Sequence, residues 1–174
     1  VEYVSAEQFD IVINNAGINK VAPFSEISKH DFSVIQKVNL EAPFLISRAA
    51  LPHMKEQRWG RIVNIASIFS KVTKAFRASY SASKFALDGM TTALAVELAS
   101  YNVLANCVSP GFIDTDLTRQ VLGEEGMQAL SEEIPIKRLG TADEIAHCVA
   151  WLCSDKNTYL TGQNIVIDGG FTRV

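Results

Sequence analysis

The chain has 174 residues, 48% hydrophobic and 20% charged, with a formal net charge of -3. These proportions predict one globular domain over 1–174, and the slightly acidic balance with scattered basic residues speaks against a nucleic-acid partner. No apolar run reaches the roughly 18 residues of a membrane span, and the opening VEYVSAEQF lacks the basic start and apolar block of a secretory leader.

Taken in order, the chain shows four short apolar, β-branched runs: FDIVIN from Phe9, RIVNIA from Arg61, NVLANCV from Asn102 and NIVID from Asn164. Helix-like segments separate them. This alternation predicts an α/β fold with right-handed crossovers, a mostly parallel sheet and helices on both faces. FDIVIN is almost continuously apolar, as expected of a strand covered on both faces. Only eight residues precede it, so its usual neighbour is expected to be absent from this sequence or supplied by another chain.

The first long helix is expected to start near Ser28, with Ser28 and Asp31 in cap-like spacing, and to run through FSVIQKVNLEAPFLISRAALPHM. Pro43 lies inside it. Proline has no N–H, so the carbonyl of Asn39 loses its helical partner and a bend is expected there. From local chemistry that bend reads first as a structural kink, with a free backbone acceptor put to use as the alternative. A second helix carries YSASK and continues FALDGMTTALAVELASY. Its apolar and small residues wrap almost all the way round, which predicts burial against a partner subunit as well as the sheet. A third begins at TADEIAHCVAWL, with Thr141 and Glu144 as a capping box and Ile145, Ala146, Val149 and Leu152 as the core stripe. Cys107, Cys148 and Cys153 show no CxxC spacing and read as reduced thiols of a cytoplasmic protein. His30, His53 and His147 are far apart, so no metal site is expected.

YSASK places Tyr80 and Lys84 four residues apart, on one helix face. A free tyrosine titrates near pH ~10. A cation held nearby favours the phenolate, and a lysine four residues on can supply that field. By itself the pattern is also that of an ordinary solvated pair. Its setting adds weight. Ser67 follows RIVNIA, NNAG (Asn14 to Gly17) closes the first strand and SPG (Ser109 to Gly111) closes the third. Three strand ends therefore meet on one rim, where open α/β sheets bind ligands. A serine that holds a carbonyl oxygen beside a tyrosine that exchanges its proton suits hydride transfer to or from an alcohol carbon.

In these motifs, together with VNL at Asn39, SPGFIDTDL at 109–117 and YLTGQNIVIDGG at 159–170, the chain resembles the short-chain dehydrogenases/reductases. The resemblance runs over essentially the whole chain and is nearest to the 3-oxoacyl-[acyl-carrier-protein] reductases of fatty acid biosynthesis. It implies a Rossmann-type doubly wound parallel sheet in three α/β/α layers. It also implies an NADP- or NAD-dependent oxidoreductase that interconverts a ketone and a secondary alcohol, with a small-molecule or acyl-thioester substrate. Tyr80 would be the acid/base, Lys84 would lower its pKa and bind the nicotinamide ribose, and Ser67 would polarise the carbonyl. Asn39 would complete a proton relay through its backbone carbonyl. Asn15, Ala16, Gly17, Pro110, Gly111, Ile113 and Thr115 would contact the cofactor, and Asp116 to about Pro135 would form a substrate lid. A homodimer or homotetramer would form through the helices after Ser28 and Tyr80.

One family feature is not in this sequence. None of the ten glycines gives the TGxxxGxG spacing of the family's dinucleotide turn, so the first strands and helices are expected to be lacking. Two further readings follow: an interaction or regulatory subunit without catalysis of its own, and a Rossmann-like binding module without chemistry. Carrier-protein recognition would want basic residues near the mouth. Arg58 lies in a matching place, and Tyr101 stands where a second basic residue often occurs.

Overall fold

The structure, a computed structural model, describes residues 1–174 apart from the side chains of Leu117 and Val121. The four apolar runs form strands β1 (Ile11–Asn14), β2 (Gly60–Ile65), β3 (Val103–Pro110) and β4 (Asn164–Ile167). They build one parallel sheet in the order β1-β2-β3-β4. A short helix, α1 (Glu2–Glu7), precedes them.

Parallel neighbours need crossovers, and helices supply them. α3 (Ala42–Gln57) and α4 (Ala78–Leu98) lie on one face, where Ala50, Met54, Ala95 and Leu98 pack on Val12, Ile62, Val103 and Ala105. α6 (Ala142–Cys153) lies on the other, with Val149, Leu152 and Cys153 against Val63 and Val108. Each such Leu or Ile, once fully buried, contributes about 1.5–3 kcal/mol. All three crossovers advance the same way along the sheet, yet the last puts its helix on the opposite face. It therefore has the opposite hand to the other two, and the expectation of right-handed crossovers throughout fails there. β1 is also covered on one face only: Val12 and Asn14 are buried, whereas Ile11 and Ile13 are 41% and 49% exposed.

The helix expected from Ser28 is three segments. α2 (Lys29–Gln36) is capped by Ser28, whose hydroxyl accepts from Asp31 N at 3.0 Å. A π-helical turn over Lys37–Glu41 follows, and α3 then begins with Pro43 in its first turn. Gln36, Lys37, Glu41 and Ala42 all keep helical backbone angles, so the path is continuous and the π turn lies just ahead of the proline. The bend expected at Asn39 is thus taken up by a π turn. In α6 the capping box forms as expected, Glu144 N donating to Thr141 Oγ1 and Thr141 N to Glu144 Oε2. Its core stripe needs one correction: Ala146 is exposed, and Cys148 and Cys153 complete the buried face with Ile145, Val149 and Leu152. The reason is that the apolar arc of α6 is wide enough to seat in more than one rotation.

Two polar features lie inside the core. Asn14, Asn64, Cys107 and Asn164 are register partners in a row across all four strands. Asn14 Nδ2 donates to Asn64 Oδ1 at 2.7 Å and Asn64 Nδ2 to Thr91 Oγ1 of α4 at 2.8 Å. Cys107 Sγ also donates to Thr91 Oγ1, at 3.2 Å. The second feature is Arg61, 2% exposed, at the opening of β2. Its guanidinium donates to the carbonyls of Gly60, Asn102 and Asn157 at 2.8, 3.1 and 2.8 Å. It stacks 4.6 Å from the Trp59 ring centroid.

Candidate active site

Parallel strands end together, so the loops after β1, β2 and β3 share one rim. Ser67 stands there two residues past β2, 9% exposed, as the cap of a short 3₁₀ turn, Ile68–Ser70. The turn is anchored from behind. Ser70 Oγ donates to the Ser67 carbonyl at 2.7 Å, Asn164 Nδ2 donates to Ser70 Oγ at 2.9 Å, and Ser109 Oγ donates to Asn164 Oδ1 at 2.6 Å. Sequence reasoning passed over Ser70 and Asn164. Their roles depend on a meeting between the loop after β2 and the start of β4, which no local pattern announces.

Tyr80 and Lys84 lie in the first two turns of α4 and both reach the rim. The Tyr80 ring packs edge-on against Phe69, with centroids 6.2 Å apart. Burial raises the Tyr80 phenol above its ordinary value, while hydrogen bonding from Ser67 and the positive charge of Arg77 pull it back. Lys84 is 2% exposed. Its ammonium donates to the Ile65 carbonyl at 2.7 Å and lies 5.7 Å from the Tyr80 ring centroid. Burial pushes Lys84 down to about 8. Its ammonium thus stands beside the ring that it was expected to tune, and the charge of Arg77 acts on the phenol as well.

Asn39 is fully buried behind the rim. Its side chain grips the loop after β1, Oδ1 accepting from Ile18 N at 2.8 Å and Nδ2 donating to the Ile18 carbonyl at 2.9 Å. Nδ2 also donates to Ser83 Oγ at 3.0 Å, which ties this loop to α4. A Cβ on Gly17 would stand 3.5 Å from Lys84 Nζ and 3.7 Å from Asn39 Oδ1. The first strand end is thereby pinned against the YSASK turn.

A cavity of about 660 Å³ opens over these groups, lined by Asn15, Gly17, Ser67, Tyr80, Lys84 and Pro110 among others. Ala16 sits on the same turn but is not part of the lining. Beside it, a cavity of about 320 Å³ shares Ser67, Tyr80 and Gly111 and adds Ile113 and Thr115. Gly111 is required by close approach, since a Cβ there would come within 2.7 Å of the Asp168 backbone. Thr115 also caps α5 (Asp116–Glu133), its hydroxyl accepting from Thr118 N at 3.2 Å. The segment expected as a lid is this helix, broken at Gly123, where φ is 64°. Its Leu122, Gly126, Ala129 and Leu130 roof a third cavity of about 380 Å³ together with Lys74, Arg77 and Phe112. Arg58 is not at this mouth. It follows α3 at the amino ends of the strands, where its guanidinium donates to the Ser100 carbonyl at 2.8 Å. Among the described residues no helix is long and apolar enough to cross a membrane, and no acidic, His or Cys cluster could hold a metal.

A short-chain dehydrogenase/reductase profile described as enoyl-(acyl carrier protein) reductase matches residues 3–172. The chain belongs to the short-chain dehydrogenase/reductase family, a family of oxidoreductases. Among relatives within this family, a 3-oxoacyl-[acyl-carrier-protein] reductase of Aquifex aeolicus is 44% identical over 168 residues, covering 97% of this chain and 67% of that protein. A gluconate 5-dehydrogenase of Burkholderia cenocepacia, solved with NADP and tartrate, superposes with a TM-score of 0.92 at 31% identity, covering 99% of this chain and 69% of its own. A 4-hydroxyisoleucine dehydrogenase solved with NADH superposes with a TM-score of 0.93 at 36% identity, covering 99% and 73%. This short-chain dehydrogenase/reductase chain thus shares the family's parallel sheet, with helices on both sides.

Proposed function

We propose that the protein interconverts a ketone and a secondary alcohol with NADP or NAD, using Tyr80 as acid/base. The observation that carries this reading is the convergence of Ser67, Tyr80 and Lys84 on one cavity. No carboxylate lines that cavity or the one beside it, so both suit an anionic dinucleotide and a carbonyl group. Pro110, Gly111 and Val21 offer an apolar wall, and Asn15 and Lys84 offer polar contacts. These residues, with Ile113 and Thr115, would hold the nicotinamide end.

When bound, the nicotinamide ring supplies or accepts the hydride. In the reductive direction Ser67 donates a hydrogen bond to the substrate carbonyl oxygen and fixes it beside the phenol. Tyr80 passes its proton to that oxygen as the carbonyl carbon becomes tetrahedral, and the phenolate is reprotonated from solvent. Lys84 keeps its charge beside the Tyr80 ring and would hold the cofactor ribose, and the Asn39 backbone carbonyl would steady a water through which the proton returns. A 3-oxoacyl thioester is the substrate suggested by the name of the Aquifex relative, and it would enter under α5.

The test is oxidation of NADPH or NADH, followed by absorbance, in the presence of an acetoacetyl thioester. Ser67→Ala is expected to lower kcat by about 10²–10³-fold, the usual effect of losing one donor to a developing oxyanion. A variant within threefold of the unaltered protein would remove Ser67 from the reaction.

The same reading includes a homodimer or homotetramer. α4 leaves Phe85 and Val96 47% and 77% exposed on one side, and Phe32 of α2 and Phe44 of α3 are 43% and 44% exposed. Between them a Cβ on Gly89 would meet nothing within 4 Å, which leaves room for a partner helix. Val96→Lys is expected to shift the mass seen by light scattering at micromolar concentration toward the monomer. An unchanged assembly would place the interface elsewhere.

A further inference from the structure

Arg77 immediately precedes α4 and is only partly buried. It is the charged residue common to the cavity over Ser67 and Tyr80, the cavity beside it and the cavity under α5. Its guanidinium lies 5.9 Å from the Phe69 ring centroid. Among the described residues its side chain makes no hydrogen bond or ion pair. Other arginines at this end of the molecule are satisfied: Arg119 forks onto Asp114, and Arg138 onto Glu144.

The position is also an unfavourable one for a cation. The amino end of a helix carries partial positive charge and favours anions, and α4 has no acidic residue in its first turn. Lys74, 5.6 Å from the Phe112 ring centroid, adds a second positive charge in the cavity under α5. Glu133 is the one carboxylate in that lining, and the two cavities that contain Ser67 and Tyr80 have none. Arg77 faces the reaction centre directly, and Lys74 adds its charge from the adjoining cavity under α5.

We propose that Arg77, supported by Lys74, binds a carboxylate of the substrate, so that the ketone reduced here belongs to a short oxo acid. The inference rests on the ketone–alcohol reading of the same site and puts a free oxo acid in place of the thioester suggested there. The guanidinium fork matches a carboxylate bidentately, which a point charge cannot do. Arg77 caps the helix that carries Tyr80, and both line the cavity over Ser67 and the one beside it. The carboxylate and the reacting carbonyl would therefore belong to one small substrate, such as a 3-oxo acid.

The experiment compares acetoacetate with the neutral acetoacetyl-N-acetylcysteamine thioester, which carries the same ketone. The unaltered protein, Arg77→Gln and Arg77→Lys are assayed for kcat/KM with each, and acetoacetate binding is measured by calorimetry. The ratio of kcat/KM for acid over thioester is expected to fall roughly 10- to 100-fold in Arg77→Gln, the worth of a hydrogen bond to a charged group, with partial recovery in Arg77→Lys. Acetoacetate binding should weaken by the same factor. If Arg77 acts only through Tyr80, both substrates slow together, the ratio stays constant and the inference is overturned. An unchanged ratio with weaker NADPH or NADH binding would give the anion to the cofactor and would overturn it too. Arg77-dependent binding of acetoacetate without turnover of either ketone would support the carboxylate site and refute the ketone–alcohol reading.

Discussion

Replacing Tyr80 by phenylalanine is expected to lower kcat by about 10³–10⁴-fold, at the upper end of what one general acid/base contributes, and to leave the fold intact. The phenol lines both cavities that contain Ser67 and can exchange a proton with an oxygen held there. The ring itself keeps its packing on Phe69, so phenylalanine preserves shape and removes only the hydroxyl. Loss of the interaction with Ser67 costs about 1 kcal/mol of stability. Binding of NADPH or NADH, followed by nicotinamide fluorescence, should be nearly unchanged, which separates a chemical defect from a folding defect. The pH dependence adds a second handle. Lys84 titrates at about 8, whereas the phenol sits above its ordinary value. As pH rises, Lys84 loses its charge first, while Tyr80 still carries its proton. The rate in the reductive direction should therefore begin to fall near pH 8 and not near 10. A Tyr80→Phe enzyme within tenfold of the unaltered rate would end the acid/base assignment.

Arg61→Met is expected to destabilise the protein by about 3–5 kcal/mol, the range for removing one side of a buried charged network. Methionine fills a similar volume but donates no hydrogen bonds. The carbonyls of Gly60, Asn102 and Asn157 would then be left unmet in the interior, at about 1–3 kcal/mol each and less than additively. These three carbonyls belong to the opening of β2, the turn before β3 and the turn after α6. Arg61 thus ties together three chain segments far apart in sequence at the amino ends of the strands, opposite the candidate site. Its Nε has no partner, so the network is imperfect already and has little reserve. Urea unfolding should show a lower midpoint with an unchanged slope. A loss below 1 kcal/mol would mean that the turns hold themselves.

Much of this was legible in the residues. Continuous β-branched runs gave all four strands to within two residues at most ends, because a buried parallel strand leaves a strong local pattern. The spacing of Tyr80 and Lys84, the place of Ser67 after a strand and the Thr141–Glu144 cap were equally local. What escaped depends on contacts between distant segments. The hand of the third crossover is decided by which sheet face α6 covers, and an apolar stripe does not name a face. Ala146 was misplaced for the same reason. The missing N–H of Pro43 announced an irregularity near Asn39, but not that a π turn would take it up. Arg58 was expected at the mouth from its place in the chain, but the direction of α3 carries it to the far end. Arg77 could have been noticed, since a residue three before Tyr80 shares its helix face. Nothing in RASY, however, shows that Phe69, Phe112 and α5 leave its charge without a protein partner.

The row of Asn14, Asn64, Cys107 and Asn164 also bears on how the chain reaches this state. β-Branched strands of similar apolarity can pair in several alignments, and parallel pairing must bring together segments far apart in the chain before any hydrogen bond rewards it. A slip of two residues between β1 and β2 would keep every apolar side chain on its proper face, so burial alone does not detect the error. It would, however, set Asn64 opposite Val12 instead of Asn14, leaving the Asn64 Oδ1 acceptor in the interior without its donor. An Asn–Asn pair in the middle of a greasy sheet thus acts as a proofreading mark, admitting one alignment and penalising its near neighbours. The same mark fixes where β1 and β2 end, and with them the level at which Ser67 meets Tyr80.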